Sequence, residues 1–363
     1  MDYSKAFDLV NRSFLWNKLV ATQINGKVIK IIKNIYNHAK SMVCYNGELS
    51  SPFYCQAGLR QGENLSSVLF AIFLNDFRSF IAEKYTGLVH IGNELLAELD
   101  TFLYIFCLLY ADDTLLLAET ADELQDALNA LYAYCKKWGL KVNLDKTKVV
   151  VFSRGKVRKY KCFYYGNDII DVIYDYLYLG VIFNFNNKFN KTKDRQKTLG
   201  LRATFGLISK IKKLNLPMSI VTQIIESCIV PVLFYGSEVW GYGQTNDMQI
   251  CFNKIMRYIL GLNKSTPKCM LYGELGLKSS EEIINNKMLN FWFNIVKSND
   301  NKFSKIIYKF SKHLFDLNIF KCPWLTHIKS QLDLCGLTYL FDDNENVSKN
   351  MFKNLVKLRL NDI

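Results

Sequence analysis

Apolar positions in the first half of the chain follow two different periods. Across residues 11–19 they fall at helical spacing, with Phe14, Leu15 and Leu19 on one side, and residues 28–36 repeat the pattern. Residues 42–45 and 53–55 read as strands joined through Asn46-Gly47, a strong turn dipeptide. The polar, glycine-bearing stretch 56–64 predicts a loop. Leu69, Ile72, Phe73 and Asp76 predict a helix from about residue 66 to 84, and residues 85–100 predict a hairpin insertion. Two short apolar runs then flank Asp112-Asp113, which places that pair at the turn of a hairpin with buried arms.

Beyond the hairpin, Thr120 and Glu123 form a capping-box signature. It opens a helix with Leu124, Leu128, Leu131 and Cys135 on its apolar face, stopped by Gly139 after Trp138. Residues 148–153 and 176–183 each predict a strand. From there the pattern becomes helical, over 188–214, 217–240, 247–260 and 281–297, with Pro217 and Pro267 where helices begin or break. Residues 298–363 look helical and basic, with Trp324 and Phe341 as packing anchors. The change from mixed to helical elements near residue 186 marks a domain boundary, and the chain as a whole belongs to the α+β class.

Composition narrows what such a chain can do. Of its 363 residues, 50% are hydrophobic and 14% aromatic, ample for a packed core and unlike a disordered protein. The net charge of +13 favours a polyanionic partner such as nucleic acid. Ten cysteines scatter through apolar segments with no CxxC pair, which predicts buried, reduced thiols in an intracellular protein. His313, Cys322, His327 and Cys335 are near one another but match no zinc pattern. No apolar run reaches the ~20 residues needed to span a bilayer, so no membrane partner is expected.

The chemistry centres on Asp112-Asp113. On its own the pair reads equally as a polar hairpin turn and as a hard-ligand site for Mg²⁺. Adjacent carboxylates between buried strands repel and are desolvated, and a bound cation relieves both. Transfer of a nucleotidyl group needs two divalent ions roughly 3.5–4 Å apart, hence a third acid beside the pair. Asp2 and Asp8 are available.

Five motifs stand in order along residues 1–183: Asp2-Tyr3-Ser4-Lys5-Ala6-Phe7-Asp8; Gly58-Leu59-Arg60-Gln61-Gly62 with Leu65-Ser66-Ser67; Tyr110-Ala111-Asp112-Asp113; Gly139-Leu140-Lys141-Val142-Asn143 with Lys146-Thr147; and Tyr178-Leu179-Gly180. Together they resemble the palm motifs of reverse transcriptases from LINE-type retrotransposons, those without long terminal repeats. The resemblance implies a polymerase palm over 1–185, an antiparallel sheet with packed helices. A helical thumb over 186–245 and a C-terminal helical region over 246–363 would follow. It implies RNA-directed DNA polymerase activity with an RNA template, a DNA primer, deoxynucleoside triphosphates and two Mg²⁺ ions, Mn²⁺ being able to substitute.

Roles follow position by position. Asp2, Asp112 and Asp113 would hold the metals. Phe7 would screen the 2′ position of the incoming sugar, or else simply pack in the core. Arg60, Gln61 and Gly62 would line the nucleotide pocket, although a loop arginine such as Arg60 is equally a solvated residue. Lys146 is a candidate proton donor to pyrophosphate or a turn lysine, and Asp8 reads as an acid at a helix N-terminus. Tyr178, Leu179 and Gly180 resemble a primer-gripping hairpin; read without the resemblance, they form a strand with a glycine bulge. Lys188, Lys191, Lys193, Arg195, Lys197, Arg202, Lys210, Lys212 and Lys213, with Asp194 the only acid among them, predict a helix that follows a nucleic-acid backbone or a solvated helix face.

The resemblance also departs from its pattern. Ser67 stands where a proline is common, and the strand and fingers expected before Asp2 are absent. The sequence therefore reads as an N-terminally truncated fragment, inactive on its own because Asp2 lacks support. The alternative is a catalytically dead nucleic-acid-binding remnant of such an element.

Overall fold

A computed structural model of the chain describes residues 2–84, 90–91, 103–104, 107–110, 113–153, 161–214, 216–273, 276–342 and 347–361. It divides into two compact units, Met1–Tyr174 and Asp175–Ile363.

In the first unit, α1 (Arg12–Ala21) starts at Asn11, whose side chain accepts from the Ser13 and Phe14 N–H groups. Asn25 caps α2 (Gly26–Asn37) in the same way. Strands β1 (Lys40–Ser41), β2 (Cys44–Tyr45), β3 (Glu48–Leu49) and β4 (Phe53–Tyr54) then form a two-stranded ribbon, β1 against β4 and β2 against β3. The Asn46-Gly47 turn sits where the sequence places it, with both residues at positive φ. It joins β2 to the short β3 rather than to residues 53–55.

The helix predicted over 66–84 is two helices, α3 (Asn64–Phe73) and α4 (Phe77–Lys84). The break has a cause. Buried Lys18 of α1 donates its ammonium to the Phe73 carbonyl and to the Asp76 carboxylate. That ammonium also lies 3.9 Å from the Trp138 ring centroid and 4.7 Å from that of Phe73. Burial lowers the Lys18 pKa, opposed by Asp76.

Strands β5 (His90–Ile91) and β6 (Leu103–Tyr104) pair antiparallel; most of the predicted insertion over 85–100 lies outside the described residues. β7 (Cys107–Tyr110) and β8 (Asp113–Leu116) form the expected hairpin, with Tyr110 opposite Asp113. α5 (Ala121–Trp138) carries the full Thr120–Glu123 capping box and ends at left-handed Gly139. β9 (Val149–Val150), β10 (Phe163–Tyr165), β11 (Asp168–Ile170) and β12 (Val172–Ile173) complete the unit. β9 and β12 pair in parallel, the exception to an otherwise antiparallel set. Among the described residues the strands pair only in twos. Leu15, Leu19, Phe70, Phe73, Leu131 and Tyr134 lie at the centre of the core.

The second unit opens with β13 (Asp175–Tyr178) and β14 (Val181–Asn184), an antiparallel hairpin where the sequence predicts one strand over 176–183. Periodicity alone hides this turn, because Leu179, an unlikely turn residue, takes φ +46 ahead of Gly180 at φ +81, although the resemblance implied a hairpin here. Helices α6 (Asn190–Leu214) and α7 (Met218–Ile224) follow. A π-helical turn over Ile225–Ile229 leads into α8 (Val230–Leu233), and α9 (Ser237–Trp240) comes next. The sequence predicts one helix over 217–240. Pro231 cannot donate an N–H to the helix ladder, and the wider turn precedes it. α10 (Asn246–Leu260), α11 (Lys268–Gly273), α12 (Ser280–Val296), α13 (Phe303–Asp316), α14 (Pro323–Leu334), α15 (Tyr339–Asp342) and α16 (Lys349–Asn361) complete the chain. Their core is aromatic: Trp292, Phe293, Phe341 and Phe352 pack as neighbours, Phe293 and Phe352 stacked with centroids 4.0 Å apart. Phe341 is thus the anchor expected, and Trp324 donates to the Glu238 carbonyl. Cys135, Cys251 and Cys335 are buried as predicted, but Cys44, Cys162, Cys228 and Cys269 are exposed. No helix of the described residues is long and apolar enough to cross a membrane.

Candidate active site

The site is built on the segment at Asp2. Tyr3 bridges antiparallel to Val142. The Asn143 N–H donates to the Asp2 carbonyl at 2.8 Å, and the Ser4 N–H donates to the Lys141 carbonyl at 2.8 Å. The main chain of Asp2 is therefore secured from downstream, by the segment that follows α5. The expectation that Asp2 lacks support missed this pairing, because its partner lies far along the chain. The Asp2 side chain is mostly covered, and its Oδ2 lies 2.9 Å from the Nζ of largely exposed Lys146.

Tyr3 and Thr114 are buried, with their hydroxyls 3.4 Å apart. Successive side chains alternate across a strand. Asp113, one residue before Thr114 on β8, is thus carried to the opposite side of that strand from this contact. Asp112 lies outside the described residues. Among the described residues no three metal-binding side chains cluster. The donors nevertheless suit a hard divalent cation: they are carboxylate oxygens, and Asp2 already neutralises a cationic ammonium.

The facing wall is the loop 56–63, and buried Arg12 organises it. Its guanidinium donates to the carbonyls of Gly58 (2.9 Å), Tyr36 (3.1 Å), Cys55 (2.6 Å) and Ala57 (3.2 Å), and lies over the Tyr36 ring. Desolvation lowers its pKa. Gly58 sits at φ +77, and a Cβ there would fall 2.6 Å from the Asp8 carbonyl oxygen. Only glycine lets the loop lie so close to the Asp8 main chain. The Leu59 N–H donates to the Phe7 carbonyl at 2.8 Å. Asp8 is not a helix N-terminal acid: α1 begins at Arg12, and the Asp8 carboxylate accepts from the Gln61 amide, 3.2 Å from each oxygen.

These walls enclose a cavity of about 800 Å³. Asp2, Phe7, Arg60, Gln61, Gly62 and Lys146, all singled out in the sequence, line it together. Gly62 takes φ +85 with nothing near its missing Cβ. The half-buried Phe7 ring rests on that of Phe70, centroids 5.0 Å apart. Arg60 pairs with Glu63 at 2.9 Å, a hydrogen bond that raises its pKa. Sequence reasoning missed Arg12, although Arg12 shares the helical stripe of Leu15 and Leu19, a legible sign of burial.

Residues 1–201 match the family model "Reverse transcriptase (RNA-dependent DNA polymerase)". The chain belongs to the reverse transcriptase family. It is 27% identical over 72% of its length to "RNA-directed DNA polymerase from mobile element jockey" of Drosophila funebris. It is 26% identical over 78% to "Probable RNA-directed DNA polymerase from transposon BS" of Drosophila melanogaster. It is 24% identical over 76% to "Retrovirus-related Pol polyprotein from type-1 retrotransposable element R2" of Popillia japonica. These matches cover 28%, 31% and 44% of the relatives' own lengths. The reverse transcriptase resemblance read from the five motifs is thus confirmed, and the similar proteins are named for a mobile element, a transposon and a retrotransposable element.

The remaining singled-out residues of this family member lie in the second unit. The Leu179-Gly180 turn is clamped: the Tyr235 hydroxyl donates to the Leu179 carbonyl at 3.1 Å, and the Gln196 amide to the Gly180 carbonyl at 3.3 Å. A Cβ on Gly180 would lie 2.6 Å from the Tyr235 ring. Arg195 also donates to the Gly180 carbonyl. Tyr178 ends β13 opposite Val181. The basic residues of α6 divide. Lys193 is buried, donates to the Gln244 carbonyl at 2.6 Å and has its pKa lowered by desolvation. Lys191 pairs with Asp175, and Lys197 with Asp194 and Asp247. Arg202, Lys188, Lys210 and Lys213 are exposed.

Proposed function

We propose that this chain is the RNA-directed DNA polymerase domain of a retrotransposon protein, extending a DNA primer on an RNA template by two-metal nucleotidyl transfer. One observation carries the reading: a single cavity is lined by Asp2, Lys146, Phe7, Gln61 and Gly62, residues that come from three separated motifs. Asp2 and Asp113, with Asp112, would hold two Mg²⁺ ions. The chemistry those ions supply when bound is activation of the primer 3′-hydroxyl and stabilisation of the leaving pyrophosphate.

The chain's own residues do the rest. The Phe7 ring, braced by Phe70, stands where a 2′-hydroxyl would clash and so favours deoxynucleotides. Gln61, tethered by Asp8, and Gly62, open at its α-carbon, shape the sugar and base side of the pocket. Lys146, whose ammonium pairs with Asp2 in the structure, would give a proton to the pyrophosphate oxygen. In this reading residues 1–185 act as palm, 186–245 as thumb and 246–363 as an accessory helical region. The clamped Tyr178-Leu179-Gly180 hairpin grips the primer end. Arg202, Lys188, Lys210 and Lys213, exposed on or beside α6, meet the nucleic-acid backbone, whereas Lys191, Lys193, Arg195 and Lys197 are committed to protein partners.

The test offers the purified chain a primed RNA template, deoxynucleoside triphosphates and Mg²⁺. Primer extension that Asp113→Ala abolishes is expected. Absence of extension, or extension indifferent to Asp113→Ala, overturns the reading. Salt-sensitive duplex binding without extension is the outcome that a nucleic-acid-binding remnant would give.

A further inference from the structure

We propose that Lys5 is the cation that binds the polyphosphate tail of the nucleotide entering the cavity. The nucleotide's identity rests on the polymerase reading; the anion site itself does not. Three cations line the cavity: Lys5, Arg60 and Lys146. Arg60 is already matched by Glu63 and Lys146 by Asp2. Lys5 is exposed and has no carboxylate partner among the described residues. It is therefore the lining charge left over for an incoming anion.

The backbone supports the same assignment. Lys5 sits at φ +49, in the left-handed region that residues with a Cβ seldom adopt. Its neighbours hold it there. The Leu9 N–H donates to the Lys5 carbonyl at 3.0 Å, the Ser4 N–H to Lys141 at 2.8 Å, and the Phe7 carbonyl accepts from Leu59 at 2.8 Å. Asparagine or aspartate visits this region with help from its own side chain; a lysine gains no such help. A strained residue fixed by its surroundings at the edge of a binding cavity is a mark of function. A Lys ammonium suits this task as a compact point charge that several phosphate oxygens can share.

Binding of inorganic tripolyphosphate, dTTP and dTMP to the full chain is measured by calorimetry in the wild type and in Lys5→Gln, Lys5→Arg and Lys5→Gly. Loss of one charge-assisted contact should weaken tripolyphosphate and dTTP by roughly tenfold in Lys5→Gln, with dTMP little changed and Lys5→Arg close to wild type. Lys5→Gly should weaken them equally while its thermal midpoint does not fall, since glycine adopts φ +49 freely; this separates the charge from the fold. Wild-type binding retained in Lys5→Gln, an equal loss for dTMP, or no tripolyphosphate binding by the wild type overturns the proposal. Tripolyphosphate binding that depends on Lys5 in a chain that extends no primer upholds it and refutes the polymerase reading instead. Extension with an unchanged KM for dNTP in Lys5→Gln does the reverse.

Discussion

Replacing Arg12 by methionine tests how the nucleotide-side wall is held. Methionine keeps the apolar stem of the side chain but removes every donor. Two of the four carbonyls that Arg12 serves, those of Gly58 and Tyr36, lie at buried contacts; those of Cys55 and Ala57 are partly open to water. An unsatisfied buried acceptor costs about 1–3 kcal/mol. The two buried acceptors therefore cost about 4 kcal/mol together, and the two open ones little. Relief from burying a guanidinium offsets part of this, leaving about 3 kcal/mol. With a urea slope of about 2 kcal/mol per molar, the unfolding midpoint should fall by about 1.5 M. The assay is a urea series read by hydrogen–deuterium exchange, peptide by peptide, because the chain has two compact units. Peptides of the first unit should shift, those over 56–63 most, while those of the second unit stay put. A first-unit midpoint within ~0.3 M of wild type would refute the assignment of Arg12 as the clamp.

Two further outcomes follow from the same geometry. Phe7→Ala should raise ribonucleotide incorporation relative to deoxynucleotide by roughly tenfold or more, measured as a ratio of kcat/KM values; an unchanged ratio assigns the ring to packing alone. Burial holds the His327 pKa below its ordinary value of 6.5, with its Nε2 3.0 Å from Asn285 Oδ1. As pH falls below about 6.5 the unfolded chain takes up this proton before the folded one, so the second unit loses stability between that pH and the lowered folded pKa. Thermal melts of that unit from pH 7.5 to 5 should show the loss, and His327→Gln should flatten it.

Features written in neighbouring residues were legible. The capping box at Thr120 and Glu123, the stop at Gly139, the Asn46-Gly47 turn and the hairpin that pairs Tyr110 with Asp113 each depend on a few adjacent positions, and three of the ordered motifs supply the residues that line the pocket. Features that depend on distant partners were not. Lys18 carries a charge that marks a solvated face, yet it is buried because a carbonyl, a carboxylate and aromatic rings far along the chain receive it. Lys193 reaches the Gln244 carbonyl just before α10 and Lys197, beside its neighbour Asp194, also reaches Asp247 on α10, so a row of lysines looked more available than it is. The support of Asp2 by Asn143 is a main-chain bond and leaves no mark on side-chain identity.

Photo-crosslinking tests the cavity beside Asp2 as the nucleotide site without requiring turnover. A photoreactive deoxynucleoside triphosphate would be attached to the purified chain under light, and the modified peptides mapped by mass spectrometry with and without excess unlabelled dNTP. Labelling that competes away and falls on the peptides carrying Phe7 and Gln61 is the predicted result. Saturable labelling elsewhere, or none that unlabelled dNTP displaces, would contradict it.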